Sequence, residues 1–268
     1  MVILALLDAS PSARPVLEAG IRLAEVLDAP LEAVHARTWP GSERSAADLA
    51  ARRGVHLRLV EGPVTESLLD DLCREGVEVG VIGARGTESG RRPVGRVTRT
   101  IIEHSSCPVL VVPPESVDPP PLRTALVPLE GTVGTSAPLD AWVPRLADLL
   151  RLVALHVFTP ETVPAMLDRP VRDMAMIADT FLERNLPAAS RVEMRSGHVA
   201  GRIVEACRRD GVDMVILSWL QSGVPGRART VLEVLTLNPL PTLLLPAGPR
   251  PGGRRGAGTA RASRSSTA

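Results

Sequence analysis

Apolar positions along the chain fall into two alternating patterns. Val2–Leu7 is a continuous apolar run of strand length. After Ser10-Pro11-Ser12, apolar residues recur at helical spacing as Val16, Leu17, Gly20, Ile21, Leu23, Ala24 and Leu27. Continuous runs suit strands buried on both faces of a parallel sheet. The Ser-Pro-Ser segment supplies an N-cap and a proline near the first helical turn. The alternation continues with a strand at Leu31–Ala36, a helix at Ser45–Arg53 and a strand at Val55–Val60. A helix at Thr65–Arg74, with Leu68, Leu69 and Leu72 inward, precedes a strand at Val77–Ile82. A helix at Val97–His104 and a strand at Val109–Val112 complete the series. Such alternation predicts right-handed crossovers and a doubly wound α/β sheet.

The pattern then repeats. Val2–Ser10 matches Thr124–Thr132, Leu31–Ala36 matches Leu152–Val157, Gly76–Gly83 matches Gly211–Ser218, and Cys107–Pro113 matches Leu240–Pro246. Two tandem Rossmann-like domains with parallel sheets are expected: 1–114 and 122–248. The proline-rich run 115–121 is read as a short stiff linker. In the second repeat the helix after the second strand is longer, covering Val163 to Arg184. Pairing Val109–Val112 with Thr242–Leu245 would cover two sheet edges and join the repeats.

Composition narrows the chemistry. The 268 residues are 44% hydrophobic and 23% charged, with a net charge of +1, as in ordinary globular chains. All 31 basic residues are Arg. Without Lys there is neither a Schiff-base nucleophile nor a P-loop lysine. Two Phe, three Trp and no Tyr make base-stacking capture of single strands improbable. Cys73, Cys107 and Cys207 form no CxxC and suit free thiols in a reducing cytoplasm. The first residues carry no basic n-region, and no apolar run approaches ~18 residues, so neither a signal peptide nor a membrane span is expected. Residues 249–268 hold five Arg, no acid and no large apolar side chain, and are read as a disordered, solvated tail.

In open α/β sheets, ligands sit beyond the carboxyl ends of the strands at the switch point. Two such ends carry suitable residues: Leu7-Asp8-Ala9-Ser10 and Ile82-Gly83-Ala84-Arg85-Gly86. The latter leads to Gly95-Arg96-Val97-Thr98, where a helix opens. Gly83 and Gly86 permit positive φ and close approach of backbone to a ligand. The helix start attracts anions. Thr98 adds a hydroxyl donor, and Arg85, Arg91, Arg92, Arg96 and Arg99 add charge. The group suits a polyphosphate, although the glycines on their own also fit a purely turn-forming role.

These segments resemble the universal stress proteins. That family carries a G-x2-G … G-[ST] signature, followed by a helix and an "HAPCPVLVV"-like strand. This chain reads Gly83-Ala84-Arg85-Gly86, then Gly95-Arg96-Val97-Thr98, then His104-Ser105-Ser106-Cys107-Pro108-Val109-Leu110-Val111-Val112. The first strand resembles "ILVAVDGS" with Asp8 at the acid, and Glu61–Leu68 resembles "xGxPAEEIL". The resemblance runs over about residues 1–247 and implies a tandem member of the family. It implies ATP, alone or with Mg2+, with adenine near Asp8 and Ala36, Ile82 covering the base, and Gly83, Gly86, Gly95, Arg96, Val97 and Thr98 at ribose and phosphates. The loop between Gly86 and Gly95 is one residue shorter than the family's. Arg96 stands where Ser or Thr is usual, so it either forks onto phosphate or fills the pocket. In the second repeat Ser218 and Gln221 replace Gly83 and Gly86, with Trp219 and Leu220 between them, and Ala228 replaces Gly95. Little or no ATP binding is expected there.

The remaining chemistry is bland. His35, His56, His104, His156 and His198 form no i,i+3 or i,i+4 pair, so metal-ligand spacing is absent. His35 and His156 share a strand position, which suits a structural role, as does His104 beside Cys107. No G-x-S-x-G occurs. Glu66, Asp70 and Asp71 are read as the solvated face of their helix. The expected function is a nucleotide-responsive, stress-related binding module in which ATP orders the 86–95 loop and alters a surface for an unidentified protein partner. The alternative is an interaction scaffold without nucleotide, and a slow ATPase ranks third. A homodimer of tandem chains is one expected assembly; nucleic acid and membrane are not expected partners.

Overall fold

The computed structural model describes residues 1–85, 93–116, 119–130, 133–158, 174–209, 211–219 and 227–246. Gly86, Arg91, Arg92, Leu220, Gln221, most of the 86–95 loop, the first part of the Val163–Arg184 helix and the 249–268 tail lie outside the described residues.

The first repeat contains β1 (Val2–Leu6), α1 (Ala13–Leu27), β2 (Leu31–Ala36), α2 (Glu43–Arg52), β3 (His56–Val60), α3 (Val64–Leu72), β4 (Val77–Gly83), α4 (Arg96–His104) and β5 (Val109–Val112). The second contains β6 (Thr124–Leu129), α5 (Val133–Ala147), β7 (Arg151–Phe158), α6 (Met174–Asn185), β8 (Arg191–Ser196), α7 (Val199–Arg209), β9 (Met214–Trp219), α8 (Arg227–Leu237) and β10 (Thr242–Pro246). Inside the sheet the apolar runs became strands because they are covered on both faces, while the edge strands β3 and β8 keep exposed positions. In β1, Ile3 and Ala5 pack into a layer with α1 and α2, whereas Leu4 and Leu6 pack into a layer with α3 and α4.

All ten strands form one sheet, in the order β3-β2-β1-β4-β5-β10-β9-β6-β7-β8. Pairing is parallel within each repeat, as the doubly wound pattern requires. The repeats join through the antiparallel β5–β10 pair, with Leu243 opposite Leu110. The two final strands thus shield each other's edges, as expected from sequence. A second link crosses the repeats on one face: Arg145 of α5 forms an ion pair with Glu78 of β4 and also donates to the Leu27 carbonyl.

Two local expectations change. Ser12 holds the N-cap position of α1, but its side chain makes no capping bond. Asp71 is not on a solvated face. It is buried and receives two bonds from Arg58 of β3, at 2.9 and 2.6 Å, while Glu66 and Asp70 are exposed. Of the three free thiols, Cys73 is exposed and Cys107 and Cys207 are buried. Burial pushes the Cys107 thiol above its ordinary pKa. Among the described residues, no helix is long and apolar enough to cross a membrane.

Candidate functional site

Strand order reverses between β1 and β4, and a cleft of about 720 Å³ opens at their carboxyl ends. That is the size range of small-molecule sites. Its lining brings together the described residues that the resemblance implies for the nucleotide: Asp8, Ala36, Ile82, Gly83, Gly95, Arg96, Val97 and Thr98; Arg85 also lines it and Arg99 does not. Ala36, Ile82, Leu6, Leu68 and Val16 give it an apolar floor.

Close approach, not left-handed backbone, is the reason for Gly83, whereas a Cβ on Gly95 would meet only ordinary contacts. Gly83 and Gly95 lie outside the positive-φ region, which corrects that expectation for Gly83. A Cβ on Gly83 would stand 3.3 Å from Val16 Cγ2, and one on Gly95 would stand 3.5 Å from the Ala84 carbonyl oxygen. Gly95 is the N-cap of α4, and its N–H donates to the Ala84 carbonyl at 2.8 Å. The next N–H groups, of Arg96, Val97 and Thr98, lie in the first helical turn and have no intrahelical acceptor.

Three expected donors are otherwise engaged. Thr98 is buried, and its hydroxyl donates to the Gly83 carbonyl at 2.7 Å, tying α4 to the end of β4. Arg85 is buried and forms an ion pair with Glu115 at 2.8 Å, so the segment expected to be a mere linker neutralises it. Arg99 pairs with Glu103 at 2.9 Å. Arg96 is exposed at the rim of the cleft and does not fill it. Among the described residues, it is the arginine of this group whose charge faces the cleft without an ion pair.

The β1 end is equally ordered. Asp8 Oδ1 accepts from the Ser10 N–H at 2.9 Å and from the Ser10 hydroxyl at 2.6 Å, and Ser10 Oγ accepts from the Ser12 N–H. The Ser12 hydroxyl is different. It is buried against the cleft and has no hydrogen-bond partner among the described residues. His35 is also buried in the lining. Its Nδ1 donates to the Leu7 carbonyl at 2.9 Å, which leaves Nε2 to accept from the Ser42 hydroxyl at 3.3 Å. His156 makes the matching Nδ1 bond to the Leu129 carbonyl at 2.9 Å. The structural reading of both histidines therefore holds.

Sequence reasoning missed Ser12, Ser42, Trp39, Val64 and Leu68 as parts of this region. An apolar Val64 and Leu68 at the start of an amphipathic helix gave a usable signal; the serines and Trp39 sit in turns and gave none. Among the described residues, no three His, Cys, Asp or Glu side chains gather as a metal site. The lining offers Asp8 as its one acid, so magnesium would reach the cleft chiefly on the phosphates of a ligand.

Residues 41–113 match the sequence profile of the Universal stress protein family. No curated protein matches the chain. Solved structures match its fold across both repeats. A functionally unknown protein from Pseudomonas aeruginosa PAO1 is 14% identical, with a TM-score of 0.67, over 91% of this chain and 92% of its own. A universal stress protein from Archaeoglobus fulgidus is 12% identical, with a TM-score of 0.65, over 92% of this chain and 98% of its own. The profile match falls within the first repeat, and the chain sets two units of one α/β topology in tandem.

Proposed function

We propose that the first repeat binds an adenine nucleotide, ATP foremost, and serves as a stress-response regulatory module through binding rather than turnover. The adenine lies near Asp8 and Ala36, against Ile82. The phosphates lie at Gly83, Gly95 and the N–H groups of Arg96, Val97 and Thr98, with the Arg96 guanidinium outermost. One observation carries this reading: donors of two helix starts that have no partner among the described residues, the α4 N–H groups and the Ser12 hydroxyl, line one apolar-floored cleft. A helix start favours anions through its N–H groups and dipole, and an apolar floor favours a base.

The alternative, a scaffold without nucleotide, is favoured by the donors already used internally, Thr98 to Gly83 and Arg85 to Glu115. Calorimetry on the full chain with ATP, ADP and cyclic AMP separates the two. Nucleotide binding that Gly83→Val abolishes supports the module, because the new side chain meets Val16 and closes the cleft. No heat of binding at millimolar nucleotide leaves the scaffold.

A further inference from the structure

We infer that Trp39 is the base-stacking residue of this cleft and sets its preference for a planar aromatic ligand group. This rests on the nucleotide reading of the site and adds a residue to it. Trp39 follows β2 and lines the cleft beside Ala36 and Thr38, with 60% of its surface exposed. Isolated exposed apolar residues are ordinary. This one differs in being held in place. The turn that carries it is closed by the Ser42 N–H donating to the Trp39 carbonyl at 3.0 Å. Ser42 Oγ accepts from the Thr38 N–H at 3.3 Å and donates to buried His35. The backbone on both sides of Trp39 is therefore pinned to the core of the sheet. The other two tryptophans are packed: Trp219 is buried, and Trp142 lies against the core beneath Arg145.

Ile82, Val64 and Leu68 give the same cleft an apolar wall. A planar group resting on that wall presents its other face toward the indole, whose π-surface accepts any flat base. A ligand without a base, such as inorganic triphosphate, gains nothing from Trp39, because the α4 helix start supplies its contacts.

The experiment compares ATP and inorganic triphosphate on the wild-type chain and on Trp39→Ala and Trp39→Phe, by calorimetry and by indole fluorescence. Loss of a stacked aromatic is expected to weaken ATP about tenfold in Trp39→Ala. Trp39→Phe should recover most of that loss, and triphosphate should bind all three proteins alike. Wild-type fluorescence should be quenched by ATP and not by triphosphate. Equal ATP affinity for wild type and Trp39→Ala overturns the inference and leaves the nucleotide site standing. An equal loss of ATP and triphosphate also overturns it, since that marks a damaged fold. Absence of ATP binding to the wild-type chain overturns the nucleotide reading itself, and this inference with it.

Discussion

Replacing Ser12 by Ala should make the unliganded protein more stable, against the usual rule. A serine at a helix N-cap ordinarily accepts a bond from an N–H of the first turn, and its loss costs about 1 kcal/mol. Ser12 makes no such bond. Ser12 is 4% exposed, and its buried hydroxyl has no partner among the described residues. A buried polar group left unpaired costs about 1–3 kcal/mol in desolvation, which alanine removes. No sealed void replaces the oxygen, because the side chain borders the open cleft. The Ser12 N–H keeps its bond to Ser10 Oγ. The expected result is a gain of about 1 kcal/mol, read as a higher urea midpoint with an unchanged slope.

The same substitution should weaken nucleotide binding about tenfold, the size of one lost hydrogen bond to a charged group. Ser42→Ala is the internal contrast. Ser42 also sits at an N-cap position, of α2, without a capping bond, but its hydroxyl serves His35 and Thr38. Its removal leaves a buried imidazole nitrogen unpaired and should destabilise by about 1–3 kcal/mol. If Ser12→Ala instead lowers stability by about 1 kcal/mol and leaves affinity unchanged, the hydroxyl is a cap and the assignment of a ligand-facing role is wrong.

Gly80→Ala places a Cβ 2.5 Å from Leu72 Cδ2, inside the β4–α3 contact, and should cost about 1–3 kcal/mol by overpacking in the same urea assay. The Glu78–Arg145 pair joins the repeats, so a double-mutant cycle of Glu78→Gln and Arg145→Met should give a coupling of about 1–3 kcal/mol; additive effects would mean the pair carries none. Burial pushes Glu32 upward, but the hydrogen bond and charge of Arg74 and the charge of Arg58 outweigh it and hold its carboxyl below the ordinary value of 4.5. A lowered folded-state pKa gives stability that is present above the ordinary value and lost as pH falls through the folded one. Glu32→Gln should therefore lower the unfolding free energy at neutral pH and converge on wild type in acid, and a constant difference across pH would refute this.

The strands were legible because the apolar runs inside the sheet are buried on both faces, whereas the edge strand β3 keeps exposed positions. β2 and β5 begin and end where the run does. The cleft was legible because strand carboxyl ends and a helix start lie at fixed places in a doubly wound sheet, and Asp8, Gly83 and Gly95 mark them. What stayed hidden depends on partners distant in the chain. Asp71 reads as a surface acid by helical spacing, and only the reach of Arg58 from β3 makes it a buried ion pair. Thr98 reads as a free donor until the turn of α4 brings the Gly83 carbonyl within 2.7 Å. Trp39 lies in a turn, where neither period applies, and its placement follows from Ser42 and His35.

The two repeats share one brace and differ in what surrounds it. His35 and His156 donate at the same distance to the end of the neighbouring strand, so the backbone at both sites is built alike. Beyond it, the aromatic residues are distributed unequally. Both phenylalanines of the chain pack on His156: Phe158 at 4.7 Å between ring centroids and Phe181 at 4.6 Å. Ala84, which follows Gly83, corresponds to Trp219, and both side chains are buried in the same apolar layer. Where the first repeat leaves a methyl group beneath the strand end, the second inserts an indole. The second repeat thus carries bulkier side chains than the first at these described positions. The expected stoichiometry is one nucleotide per chain, lost completely in Gly83→Val. Calorimetry that gives two equivalent sites, or one site that survives Gly83→Val, would mean that the bulkier side chains of the second repeat do not exclude the ligand.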